Sequence, residues 1–124
     1  MKDYLVISLG AVVGAAARYF VSRQVARILS PDFAYGTLLI NVTGSLVLGF
    51  FMIWTTERVL AAPYWRLLIA IGFCGSYTTF SSYAYESFAY FEHGQWLLFA
   101  TNILTNNVFC LLAVLTGAAL ARGV

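Results

Sequence analysis

GFCGSYTTFSSY, residues 72–83, is the stretch that decides how this chain folds. It lies in the middle of a hydrophobic run from about residue 66 to residue 90, long enough to cross a bilayer. Glycines, serines, threonines and aromatic rings crowd the point where a membrane helix is usually aliphatic. Gly72, Gly75, Thr78 and Thr79 all weaken a helix. Unwound backbone at membrane depth is tolerated where it is buried in protein, lines a cavity or holds an ion. The stretch therefore reads as a break joining two half-helices.

Three further apolar runs flank it, at about 4–21, 35–56 and 95–121. Ser30-Pro31-Asp32 separates the first two, Glu57-Arg58 closes the second, and Pro63 opens the next. Composition agrees with this layout. Of 124 residues, 61% are hydrophobic and 10% are charged, whereas a soluble domain carries about 25% charged residues. Twelve charged side chains cannot cover a water-facing surface of this size. The reading is a single all-α integral membrane domain over residues 1–124, with four transmembrane helices per subunit and a broken third. A cleaved leader is the other reading of the first run, with Lys2 as its basic start and Ala15-Ala16-Ala17 as its cleavage site. Arg18 beside that site and three following spans argue against it.

Gly10 and Gly14 in the first run have the GxxxG spacing that lets another helix approach closely. On a four-span layout, Lys2, Arg58, Arg66 and Arg122 lie on one side of the membrane and Arg18, Arg23 and Arg27 on the other. Basic residues normally fix orientation by their asymmetry, and here it is nearly absent. The expectation is insertion both ways, with two copies forming an antiparallel homodimer.

Several function classes drop out. A net charge of +2 is too small for a nucleic-acid footprint. Cys74 and Cys110 lie inside apolar runs without metal-ligand spacing. His93 stands alone in a loop beside Glu92, and Gly72 and Gly75 do not fit a phosphate-binding loop. No catalytic constellation is present, and the chain does not read as an enzyme.

The polar residues within the spans point elsewhere. Asn41, Ser45, Thr101, Asn102, Thr105, Asn106 and Asn107 join the third-span hydroxyls at membrane depth. Singly, each is accounted for as helix–helix glue. Together they exceed what packing requires, and Asn102, Asn106 and Cys110 recur at i, i+4, i+8 on one helix face. Amide and hydroxyl donors suit a small, strongly hydrated anion, and aromatic ring edges add partial positive charge. Arg18 either raises the local anion concentration at a membrane face or snorkels to the interface. Glu86, late in the third span, reads as paired or solvated.

Three segments carry a family resemblance over nearly the whole chain: GAVVGAAARY at 10–19, GTLLINVTGSLVLG at 36–49 and GFCGSYTTFSSYAYES at 72–87. They resemble the Fluc (CrcB) fluoride channels. The resemblance implies a dual-topology homodimer in the inner (plasma) membrane with two parallel pathways, releasing fluoride passively from the cytoplasm. It places Asn41 and Thr37 on the pathway, with Phe80 and Tyr83 as its ring pair and Ser81 and Ser82 between them. Asn102, Asn106 and Cys110 would form its polar fourth-span face. It also implies a central sodium ion held by the backbone carbonyls of Gly75 and Thr78 from both subunits. The chain departs from the family at Tyr83, where the second aromatic is usually phenylalanine. The added hydroxyl would donate to the ion or narrow its path. Two rival readings are a small multidrug-resistance transporter, which relies on a first-span glutamate absent here, and a structural subunit that transports nothing.

Overall fold

The structure is a computed structural model that describes residues 1–58 and 63–124. The Arg58 and Pro63 side chains and residues 59–62, between spans two and three, lie outside the description. Helix α1 runs Lys2–Ile28, and α2 runs Tyr35–Ile53 and continues as a π-helical turn, Trp54–Arg58. The third span begins with α3, a continuous run of Pro63–Trp65, a π-helical Arg66–Cys74 and Gly75–Tyr77. After a break it resumes as α4, Phe80–Glu92, and α5 follows over Trp96–Gly123. Among the described residues, Lys2–Ile28, Tyr35–Glu57 and Trp96–Gly123 are each long and apolar enough to cross a membrane unbroken.

The expected break is present and is short. Thr78 and Thr79 are both extended, with φ/ψ of −79°/159° and −149°/113°. The glycines that pointed to it stay helical, and α1 packs directly against Gly72. Gly10 and Gly14 are buried against α3. A Cβ on Gly72 would lie 2.6 Å from the Ile7 carbonyl oxygen and 3.0 Å from Gly10 Cα. These glycines therefore permit backbone-to-backbone approach, as the GxxxG spacing predicts. Gly49 does the same between α2 and α5, where a Cβ would sit 2.5 Å from the Val114 carbonyl oxygen.

The ends of the helices differ from the sequence reading by a few residues. The first helix extends to Ile28, beyond the apolar run, because Ser22 to Arg27 remain helix-compatible until the Ser30-Pro31 break. Between α4 and α5, Gly94 has φ +68°. The Gln95 amide returns to the Tyr90 carbonyl at 2.8 Å and the Gly94 amide to that of Phe91 at 3.1 Å. This is a glycine-terminated helix end that satisfies the last carbonyls and turns the chain sharply. An ion pair of 3.2 Å between Glu57 and Arg122 ties the end of α2 to the end of α5.

The distribution of polarity is inverted relative to a soluble protein. Apolar side chains such as Leu5, Val12, Leu97 and Leu111 are exposed, while Thr37, Thr79, Ser87, Asn102 and Asn106 are buried. A bilayer would solvate the first group, and the second must find partners inside.

Candidate functional site

The buried polar residues converge on the break. Asn41, projecting from α2, pairs with Thr79 through both ends of its side-chain amide. The Thr79 N–H donates to Asn41 Oδ1 at 2.8 Å, and Asn41 Nδ2 donates to the Thr79 carbonyl at 3.2 Å. The side-chain amide thus replaces the ladder partner that the Thr79 N–H loses at the break, and adds a second donor to a carbonyl that already heads α4. Gly44, one turn further along α2, lies against the Thr78 methyl and leaves no room for a Cβ. Thr79 in turn caps α4. Its hydroxyl oxygen accepts from the Ser82 amide at 3.2 Å and lies 3.3 Å from Ser81 Oγ.

From the clamp, a chain of amides runs along the inner face of α5. Asn41 Nδ2 donates to Asn106 Oδ1 at 3.1 Å. Asn106 Nδ2 donates to the Asn102 carbonyl and to Asn102 Oδ1, at 3.1 and 3.0 Å. Asn102 Nδ2 donates to Ser87 Oγ at 2.9 Å, and the Ser87 hydroxyl closes the chain on the Tyr83 carbonyl at 2.8 Å. Asn41 and Asn106, expected as pathway-lining donors, both line a cleft at the break. Their amide protons rest on internal acceptors, because an open donor at this depth costs several kcal/mol, of order 2–7.

Two cavities meet at Thr79. One, of about 280 Å³, is lined by Asn41, Ser45, Phe80, Tyr83, Asn106 and Cys110 among others. The other, of about 500 Å³, is lined by Arg18, Thr37, Ser81, Ser82 and Glu86 among others. Thr79 lines both. The structure thus gathers Asn41, Phe80, Tyr83 and Asn106 on one side of the break, and Thr37, Ser81, Ser82 and Arg18 on the other. Asn102 lines neither cavity; it is fully buried behind Asn106 and supports it. The rings of Phe80 and Tyr83 meet edge to face, with centroids 5.4 Å apart. Gly75 and Thr78 sit where the helical ladder opens, since the Thr79 amide that would return to Gly75 goes to Asn41 and the Ser82 amide goes to Thr79 Oγ1.

Four residues that sequence reasoning left without a role stand out. Thr79 is the hub. Its signal was a threonine three residues ahead of a serine at the start of a helix. Ser87 and Asn107 show no comparable signal, because their partners are set by tertiary packing. Glu86 was expected to be paired or solvated. It accepts from Thr37 Oγ1 at 2.6 Å through one oxygen, while the other is buried without a hydrogen-bond partner among the described residues. Packing of Thr37 on α2 against α4 takes that carboxylate out of solvent.

Helices of membrane length enclosing a polar break define an integral membrane protein whose buried chemistry is hydrogen bonding. The particular family follows from comparison with known proteins. The model for "CrcB-like protein, Camphor Resistance (CrcB)" matches residues 5–118, and the chain belongs to that family. It is 62% identical to the fluoride-specific ion channel FluC of Koribacter versatilis, over all of this chain and 98% of that protein. It is 42% identical to the FluC of a Sulfurihydrogenibium species, over 98% of each chain. With the FluC of Solibacter usitatus it shares 39% identity, over 96% of this chain and 98% of that one. These relatives are named as ion channels, not as enzymes.

Proposed function

We propose that this protein is a fluoride channel, releasing fluoride passively from the cytoplasm across the inner (plasma) membrane. The names of its relatives support the substrate. The observation that carries the reading within this chain is the Asn41–Thr79 clamp, a polar partition between two cavities at a helix break. Fluoride surrenders its water only where fixed donors replace it. In this reading the ion passes between the Arg18 cavity and the Phe80–Tyr83 cleft. Asn41 and Asn106 transfer N–H groups from their internal acceptors to the ion, and the hydroxyls of Ser81 and Ser82 and the ring edges of Phe80 and Tyr83 accompany it. Because the internal acceptors wait to take the protons back, binding stays weak enough for release, as conduction requires.

The working unit in this reading is an antiparallel homodimer with two pathways. Its support is the near-absence of basic asymmetry and the opening of the polar cleft onto the surface of a single chain, where Phe80 is 78% exposed. A second copy covers polar groups that lipid would leave unpaired. The carbonyls of Gly75 and Thr78 fit a central sodium ion, since their helical donors are turned elsewhere. Carbonyl oxygen suits a hard cation. When bound, the ion supplies a positive charge that these oxygens from both copies share.

Fluoride efflux from proteoliposomes, with chloride as the paired anion, tests the reading: fluoride is expected to leave and chloride to stay. Proton-driven uptake of a lipophilic cation would support the multidrug-type alternative. No specific observation favours that alternative, and the first span carries no glutamate.

A further inference from the structure

Asn107 lies one residue outside the polar face of α5, and the anion pathway as read above makes no use of it. Its side chain crosses to the third span. Asn107 Nδ2 donates to the Tyr83 hydroxyl oxygen at 3.1 Å and to its own Ile103 carbonyl at 2.7 Å. Both residues line the cleft that also holds Asn41 and Asn106. A phenol has one proton to give and accepts through its oxygen. With Asn107 donating to that oxygen and no acceptor for its proton among the described residues, the proton of Tyr83 remains to be given.

The neighbouring amides are differently placed. Asn41 Nδ2 donates to Thr79 and Asn106, and Asn106 Nδ2 donates twice to Asn102. An ion reaching the cleft therefore displaces an internal hydrogen bond to use either amide, whereas the Tyr83 O–H requires no such displacement. The hydrogen bond from Asn107 also polarises that O–H, since linked hydrogen bonds strengthen one another.

We infer that Tyr83 is a hydroxyl donor to the anion in this channel and that Asn107 is the positioning residue that turns its proton into the cleft. The inference rests on the fluoride-channel reading and adds to it a donor that a phenylalanine at this position lacks. It also makes the two residues one unit, so that neither has its full effect without the other.

A double-variant comparison tests this. Tyr83→Phe and Asn107→Ala are each expected to slow fluoride efflux from liposomes about fivefold, on the scale of one neutral hydrogen bond. The double variant is expected to be no slower than either alone. Equal rates for Tyr83→Phe and the parent, or an Asn107→Ala effect that persists in full in the Tyr83→Phe background, would overturn the inference. A second measurement does not depend on conduction. With 3-fluorotyrosine placed at position 83, the fluorine resonance of the solubilised protein is expected to move on adding sodium fluoride but not sodium chloride. The movement is expected to vanish in Asn107→Ala. A resonance that ignores fluoride contradicts the inference even if the parent conducts. A parent that passes no fluoride contradicts the channel reading, while the resonance still reports whether the hydroxyl meets the anion.

Discussion

At the scale of single residues, the polar groups of this protein are held in a hydrogen-bonded chain whose members depend on one another unequally. Asn102 is fully buried and relies on Ser87 Oγ as its near acceptor, with the Tyr83 carbonyl at 3.5 Å as a weaker second. Ser87→Ala is therefore expected to destabilise the protein by about 1 kcal/mol, the low end for an unsatisfied buried donor, because that second acceptor takes up part of the loss. Thermal unfolding in detergent checks this. The Thr79 N–H has no such reserve: Asn41→Ala strands it, while the Thr79 C=O keeps its place as first acceptor of α4, and a loss of about 1–3 kcal/mol is expected in the same measurement. The sequence made part of this legible. The four-residue spacing of Asn102 and Asn106 put them on one face, and they are hydrogen-bonded to each other. The pairing of Asn41 with Thr79 was not legible. It joins residues 38 apart in sequence, and no local pattern records which amide will face which backbone group.

At the scale of elements, the third span is a helix interrupted by two extended residues and restarted by a cap. Thr79→Val keeps the shape of the side chain but removes the oxygen that accepts from the Ser82 amide. A loss of about 1 kcal/mol is expected, as for other N-cap removals, with Thr79→Ser close to the parent. Unfolding of the three proteins side by side decides this. The contact of α1 with α3 has a different basis, the lack of side chains. Gly72→Val places a β-branched group against the backbone at Ile7 and Gly10, where no flexible side chain exists to move aside. Overpacking of this kind costs about 1–3 kcal/mol, and the variant is expected to unfold at markedly lower temperature. Here the sequence was informative about existence and less so about position. Glycines and threonines together announced a break. Tertiary packing decides which of them unwind: Gly72 lies helical against α1, while Asn41 and Gly44 on α2 meet the extended Thr79 and Thr78.

At the scale of the whole molecule, apolar groups face outward and the polar ones are collected between helices, which makes one chain a poor stopping point. The cleft lined by Asn41, Phe80, Tyr83 and Asn106 opens onto the surface that lipid would otherwise cover. The antiparallel-dimer reading predicts that single cysteines placed in the turns at Pro31 and Gly94 label from both sides of the membrane in comparable amounts. Labelling from one side alone contradicts it. The membrane class was legible from composition, because twelve charges cannot solvate such a surface. The proposal that two copies associate rests on charge balance and on the open cleft.

The central claim is that the polar partition formed by Asn41 and Thr79 is the place where fluoride crosses. Efflux of fluoride and of chloride from liposomes carrying either the parent or Asn41→Ala, each first checked to be folded, tests it most directly. The parent is expected to release fluoride and retain chloride, and Asn41→Ala to release neither. Chloride leaving the parent as readily as fluoride, or fluoride efflux unchanged in folded Asn41→Ala, would contradict the account.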